Sequence, residues 1–526
     1  MSQSKTYDVI IIGSGAGGGT VAQSLAETGK SILILERGEH LPREVENWDP
    51  KTVFIERKYR TNEKWVNKAG SQFVPNCHYW VGGNTIFYGA VLMRMRESDF
   101  DVVQHEDGVS PAWPISYGDL APYYDQAEQI WRVRGNRGED PAEPPTSAPY
   151  DHPGIRHDDE VARLMTHLRD DQGWKPFTLP LGVQRDDDDP VHSACIRCET
   201  CGGFPCLVKA KSDARTIAIE PLSKYPNVTL LTGQLVNRLE TGTDGRTVTG
   251  VVCEGPDGQE VYSAGIVVLA AGAANTAAVL QRSATPRHPN GLANGSDQVG
   301  RNYMFHTMTA VISASALKAK TRFPKTLGIN DFYRGDPDGS YDFPMGHIQS
   351  LEYMEGPMLE GQLDTEFPLA DKLIPKFIAD SLARRMLSFL VLSEDLPQPD
   401  NRIRWLDGQI HLDYTHNNLS GHKRLVKKFD RALEGFCDGK RVILDHHFQV
   451  QQLLPIYGTA HQCGTARMGD DPASSVVNAD CRAHEVDNLY IVDTSVFCSS
   501  AAVNPTLTLV AIALRAGEHL RQRLSA

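Results

Sequence analysis

The first regular signal along the chain is an unbroken apolar run, Val9 to Ile12, inside "YDVIIIGSGAGGG". A strand without polar alternation is buried on both faces, as in a parallel sheet. Thr20 to Glu27 then carries helix formers, and Gly29 marks the stop. Ser31 to Leu35 is a second apolar strand, with Glu36 at its end. Residues 40 to 110 read as irregular and punctuated by glycine and proline, and residues 119 to 133 as a helix. The stretch from 136 to 160, rich in proline, aspartate and glycine, reads as a surface excursion. "NVTLLTGQLVNRLE", "VTGVVCEG" and "EVYSAGIVVLAAGAANTAAVLQRS" predict successive strands, the last running into a helix. Between about 305 and 450 longer strands mix with helices. "VDNLYIVDTSVF" is a further strand, and "NPTLTLVAIALRAGEHLRQRL" a closing helix with Pro505 near its first turn. There is no internal repeat.

At 526 residues the chain is too long for one simple core, and two joined domains are expected. The formal charge of −13 is spread without a long like-charge block, which argues against nucleic acid and anionic membrane surfaces. No run of 18 apolar residues predicts a spanning helix, and no secretory leader precedes the first strand. Six of the ten cysteines are scattered, which suits a reducing, cytoplasmic setting better than a disulfide scaffold. A homodimer is the default assembly for a soluble enzyme.

Gly13, Gly15 and Gly18 fit G-x-G-x-x-G between a strand and a helix, with Glu36 at a suitable distance beyond. Gly13 permits the tight turn, Gly15 lets a pyrophosphate approach the backbone, and Gly18 allows close helix–strand packing. The phosphate would rest on unpaired N–H groups at the helix start. Glu36 is placed to accept ribose hydroxyls. The motif leaves NAD and FAD both open.

With "VGGNTIFYGAVLMR", "WPISYGDLAPYYDQAE", "VVLAAGAANTAAVL", "VGRNYM", "HQCGTARMG" and "NLYIVDTSVFCSSAAVNPTLT" added, the chain resembles the glucose–methanol–choline oxidoreductase family nearly end to end. The resemblance implies an α/β architecture: a Rossmann-like FAD-binding domain and a second α+β substrate domain on a mixed or antiparallel sheet. The implied division is 1–304 for the FAD domain with inserted loops, 305–450 for the substrate domain, and 451–526 for the return to the FAD domain. It further implies that Gly82, Gly83 and Asn84 lie along the pyrophosphate and isoalloxazine, and that the Val236 backbone holds adenine. Ala271 and Gly272 would approach the phosphates, and Asp493 the ribityl–phosphate region. Asn504, Pro505 and Thr506 would open a helix near the flavin pyrimidine ring, where helix-end N–H groups favour negative charge.

His461 resembles the family's active-site histidine, and Asn504 its partner. Hydride leaves a carbinol carbon for flavin N5 only as the hydroxyl loses its proton, and a neutral imidazole can take that proton. An amide cannot be the base, but it can hold the substrate oxygen. His461 is therefore expected as base and Asn504 as orienter, acting on a small-molecule alcohol, sugar or glycoside; the sequence does not name the electron acceptor. Two other readings are a flavoprotein of the same fold with non-oxidative or light-driven chemistry, and a non-catalytic FAD-stabilised protein. The His461–Asn504 pair counts against both. His446 and His447 read as packing or pocket-wall residues, and His78 as scaffold. Tyr88 either touches substrate or packs beside the flavin.

Some family members tether FAD through a histidine in the "GG" loop, and Phe87 stands at that position here. Non-covalent FAD is expected. Finally, Cys195, Cys198, Cys201 and Cys206 are spaced C-x₂-C-x₂-C-x₄-C. Such gaps can turn thiolates toward one centre, as in iron–sulfur and zinc sites. A reduced cysteine-rich loop is the preferred reading, with an iron–sulfur cluster as the main alternative and structural zinc or a disulfide behind it.

Overall fold

The computed structural model describes residues 5–314, 321–353, 355–358, 380–381, 383–436, 454–458 and 460–526. Strand β1 (Lys5–Ile12) lies between β2 (Ile32–Leu35) and the second half of β11 (Gly258–Leu269), with Val9 opposite both Ile32 and Ile266. Beyond β2 lies β8 (Val228–Leu231), and beyond β11 lies β18 (Leu489–Ile491), all parallel. The apolar runs of β1 and β2 are buried on both faces, as their lack of alternation predicts. β9 (Leu235–Thr241) and β10 (Val248–Gly255) form an antiparallel meander with the first half of β11.

Helix α1 (Ala16–Leu25) begins four residues before the expected Thr20 and ends before Gly29, which takes φ +70°. Its Gly17–Gly18–Gly19 run reads as a poor helix former, yet close packing requires it. A Cβ on Gly17 would stand 2.0 Å from the Val492 carbonyl oxygen, and one on Gly18 2.1 Å from that of Gly13. Tertiary contact overrides propensity here. The closing helix, numbered α6 (Thr506–Ser525), packs against α1 and against α2 (Tyr117–Ile130), where Tyr124 and Thr508 share a 2.7 Å hydrogen bond. Helix α4 (Ala273–Arg282) follows β11 directly.

The second layer is an antiparallel sheet ordered β12 (Thr307–Ala314), β15 (Met386–Ser393), β14 (His347–Ser350), β13 (Leu327–Ile329) and β7 (Phe177–Thr178). Its alternation is clean. Val311, Ile348, Phe389 and Val391 pack in one core with α3 (Asp159–Asp170) and α5 (Leu419–Phe436). Met308, Gln349 and Leu390, of opposite parity, face a large cleft. β7 and α3 thus reach this layer from well upstream of residue 305.

Three local expectations are corrected. The "irregular" 40–110 region contains β3 (Trp65–Asn67) and β4 (Gln72–Phe73), which join β16 (Arg402–Leu406) and β17 (Gln409–Asp413) in one sheet, and the small hairpin of β5 (Val103–His105) and β6 (Gly108–Ser110). The 136–160 stretch is only partly superficial: Arg137 bridges Glu128 and Glu143, Asp140 pairs with the buried Arg96, and Ile155 is buried. Charges that read as solvated are instead paired inward. The expected strand at 486–497 shortens to Leu489–Ile491, because the Asp493 side chain caps a 3₁₀ turn at Thr494–Val496 through the Ser495 N–H. Among the described residues, no helix is long and apolar enough to cross a membrane.

Candidate active site

A cleft of about 730 Å³, within the range of small-molecule and cofactor sites, runs between the parallel sheet and the antiparallel one. One end is built from the β1–α1 turn. Gly13 adopts φ +103°, and a Cβ there would sit 2.3 Å from the Ala270 carbonyl oxygen, so the turn admits only glycine. Gly15 differs: its φ is −69°, it lines the cleft, and a Cβ would meet no atom within 4 Å. The space beside Gly15 is therefore open to a ligand's backbone-hugging group. Gly272 is alike, at φ +85° with nothing beside it.

Glu36 closes this end. One carboxylate oxygen accepts from the Ser14 N–H (3.0 Å) and Ser14 hydroxyl (2.6 Å), the other from the Gly38 N–H (2.8 Å). Burial pushes its carboxyl up in pKa, against the pull of these bonds. Ser14 also accepts from the Gly82 N–H at 3.0 Å, so one hydroxyl links the glycine turn, the acid and the Gly82–Gly83–Asn84 turn. Sequence reading passed over Ser14, since a serine between glycines looks like turn filler. Asn84 accepts from the His78 N–H at 2.8 Å, and Val236 lies beside Gln234 and Leu235 with its carbonyl taken by Arg282 at 3.2 Å. Ala271 and Gly272 lead into α4, where Asp493 accepts from the Gly272 N–H (2.9 Å) and Thr276 hydroxyl (2.6 Å). Burial raises the Asp493 pKa as well.

The same cleft is lined by His461, Asn504, Pro505 and Thr506, from two segments distant in sequence. His461 is half-buried in the cleft wall, and desolvation, then repulsion from His306 and Lys325, pull its pKa down to about 3. The imidazole is neutral. Its Nδ1 lies 3.2 Å from Nδ1 of His306. Asn504 is 9% exposed, and its Oδ1 has no hydrogen-bond partner. It makes no capping bond to α6, whose N-cap is Pro505. A buried amide that caps nothing and faces a cleft is poised for a ligand. The opposite wall carries Lys325 ion-paired to Glu352, with Gln349, Met308 and Leu390. None of these was legible in sequence: sheet parity turns Met308, Gln349 and Leu390 inward, and Lys325 and Glu352 come from the segments flanking β13 and β14.

All the residues expected from sequence along the cofactor path except Gly18 line this one cleft; Gly18 sits behind the turn, packed on Gly13. Phe87 is there too, stacked on His78 with ring centroids 4.0 Å apart. Burial lowers the His78 pKa to about 3. The Tyr88 hydroxyl is committed inward to the Ser212 carbonyl. His446 and His447 lie outside the described residues.

The cysteine loop flanks the cleft without forming a ligand set: among the described residues, no three His, Cys, Asp or Glu are grouped to hold a metal ion. Cys198 instead accepts from the Thr200 hydroxyl at 3.3 Å. The buried Lys211 ammonium donates to the carbonyls of Tyr88, Cys201 and Phe204, pinning the loop under the cleft. Burial pushes the Cys201 thiol up to about 12, which keeps it protonated.

Comparison with known proteins bears on this arrangement. Two models described as GMC oxidoreductase match residues 171–308 and 398–513, and one described as an NAD(P)-binding Rossmann-like domain matches residues 11–51. The chain is 30% identical to 6'''-hydroxyparomomycin C oxidase of Streptomyces lividus, over 99% of this chain and 92% of that one. It is 30% identical to paromamine 6'-oxidase of Streptomyces fradiae, covering 98% and 91%. Its fold is similar to pyridoxine 4-oxidase from Mesorbium loti, with a TM-score of 0.65 at 18% identity over 98% of this chain and 99% of that one.

Proposed function

We propose that this chain, which belongs to the GMC (glucose–methanol–choline) oxidoreductase family, oxidises a CH–OH group of a sugar, glycoside or related alcohol with His461 as general base. Membership makes it an FAD-dependent oxidoreductase; the substrate and the roles of individual residues are our reading. What carries that reading is a neutral, half-buried imidazole and an amide whose Oδ1 has no partner, both lining the cleft that holds the glycine turn.

The residues present fit FAD. Gly15 and Gly272 leave open space beside the backbone, and Glu36 keeps carboxylate lone pairs beside the turn. Gly13 to Gly18, Glu36, Val236, Ala271 and Gly272 would hold the ADP half. Gly82 to Asn84, Asp493 and the 504–506 turn would hold the flavin half. FAD, when bound, supplies the two-electron acceptor. The protein's own part is to hold the substrate and move a proton. Oxidation of an alcohol to a carbonyl removes the carbon's hydrogen with both bonding electrons, which bound FAD would accept, and the hydroxyl proton, which goes to the neutral His461 ring. The Asn504 amide N–H holds the substrate oxygen, which keeps its lone pair aligned with the bond that breaks. Gln349, Glu352 and Lys325 give the opposite wall hydrogen-bonding capacity suited to a polyhydroxylated substrate. The two relatives at 30% identity, named as oxidases of a hydroxyparomomycin and of paromamine, favour a sugar-bearing alcohol within this class.

Asn504→Ala should lower kcat and raise KM together, by roughly tenfold in kcat/KM, about the worth of one good hydrogen bond to a reacting oxygen. The melting temperature should stay near wild type, because no helix-cap bond is lost. A variant that melts early in proportion to its lost activity would make the residue structural instead. The flavin should be non-covalent, since the carbon-only ring of Phe87 cannot form the tether. Acid or heat denaturation should release all of it into solution, and flavin migrating with the denatured polypeptide would refute this.

A further inference from the structure

We propose that His306 is a positioning residue that fixes the tautomer of His461, so that Nε2 of His461 is the nitrogen that takes the substrate proton. This rests on the reading of His461 as base, and adds which nitrogen acts and what sets it.

The argument starts at a group with no choice. The Ser500 carbonyl oxygen can only accept, and Nε2 of His306 lies 3.1 Å from it. Nε2 of His306 therefore carries hydrogen. His306 is completely buried, and desolvation pulls its pKa down to about 4, so the ring is neutral and its Nδ1 is bare. That bare nitrogen lies 3.2 Å from Nδ1 of His461, with the ring planes at 79° and the centroids 5.1 Å apart. Two bare nitrogens at this separation would repel. The contact is a hydrogen bond only if Nδ1 of His461 carries the hydrogen and donates it. A neutral ring has one N–H, so Nε2 of His461 is left as the acceptor nitrogen. The relay runs from His461 through His306 to the Ser500 carbonyl, four residues before Asn504. The charged groups felt by the pair are Lys325 on the His461 side and Glu394 on the His306 side.

The same relay supports the protonated base. When Nε2 of His461 gains a proton, its Nδ1–H keeps the bond to His306, now charge-assisted and stronger. The backbone carries a cost for the placement: His306 takes φ +77°, a left-handed conformation that a non-glycine residue holds only when its surroundings impose it. The sequence "VGRNYMFH" gives no hint of this, since the histidine looks like the start of a strand.

Two substitutions separate positioning from scaffolding, because both tolerate the positive φ. His306→Asn keeps an acceptor oxygen near the Nδ1 position; His306→Gly removes it. In the FAD-loaded protein, His306→Gly should slow anaerobic flavin reduction by roughly 10- to 10²-fold, at the scale of misplacing a general base. His306→Asn should recover most of that loss. A second readout does not depend on turnover. In histidine-15N-labelled protein, the His461 ring, assigned by its loss in His461→Ala, should show a protonated Nδ1 and a bare Nε2. Hydrogen on Nε2 of His461 in the wild type overturns the proposal, as do Asn and Gly variants slowed alike. If His461→Ala kept full reductive activity, the base assignment would fail, while the 15N result would still report the tautomer.

Discussion

Replacing His461 by alanine is expected to slow reduction of the bound flavin by substrate roughly 10²-fold or more, the scale of general-base catalysis. FAD content and melting temperature should stay near wild type, since the bonds that tie Ser14, Glu36, Gly38 and Gly82 together do not involve His461. The pH profile sharpens the expectation. Protonation disables the base, and desolvation, reinforced by His306 and Lys325, pulls its pKa down to about 3. The active, neutral form is therefore retained as pH falls through about 6.5, where an unburied histidine would be half protonated. The wild-type reduction rate at low substrate should be flat through that window and fall only toward the depressed value. An acid limb centred near pH 6.5 would contradict the desolvated neutral ring, and a His461→Ala protein with full reductive rate would contradict the base itself.

The second large effect belongs to the glycine turn, and two neighbouring glycines should behave differently. Gly13→Ala forces a Cβ to 2.3 Å from the Ala270 carbonyl oxygen at φ +103°, so the turn must move. Left-handed strain plus displaced backbone should cost about 2–4 kcal/mol of stability and weaken FAD by tenfold or more. Gly15→Ala meets no protein atom and keeps an ordinary φ of −69°. The apoprotein should melt as wild type, yet FAD affinity should fall comparably, because the new methyl group stands in the space left for the cofactor. Equal melting temperatures with titration of FAD into apoprotein separate the two cases. Gly15→Ala protein that binds FAD at wild-type strength would remove this turn from the cofactor site.

Much of this was legible in the sequence for a physical reason. Buried parallel strands cannot hide their apolar runs, so β1 and β2 fell where Val9–Ile12 and Ser31–Leu35 announced them, β2 starting one residue later at Ile32. Residues singled out by type and spacing, from Gly13 to His461 and Asn504, line one cleft, Gly18 apart. What stayed hidden depends on contacts distant in sequence. The early start of α1 rests on Val492 crowding Gly17, some 475 positions away. The pairing of β3 with β17 joins Val66 to His411, which no local pattern encodes. The polar wall needed sheet parity for Gln349 and the ends of β13 and β14 for Lys325 and Glu352, and the meeting of His306 with His461 needed the whole fold. The cysteine loop is similar: its thiols lie within electrostatic reach of one another, and the Lys211 bonds to the Cys201 and Phe204 carbonyls that pin it are invisible in the spacing.

The central claim is that this cleft oxidises a hydroxyl-bearing carbon through His461 and Asn504. Its most direct test is anaerobic mixing of the FAD-loaded protein with sugars, glycosides, polyols and aromatic alcohols, following the flavin's visible absorbance. At least one hydroxylated compound should bleach the flavin in the wild type and do so roughly 10²-fold more slowly in His461→Ala. A flavin that no alcohol in the panel bleaches, or one bleached equally fast in both proteins, would contradict the claim.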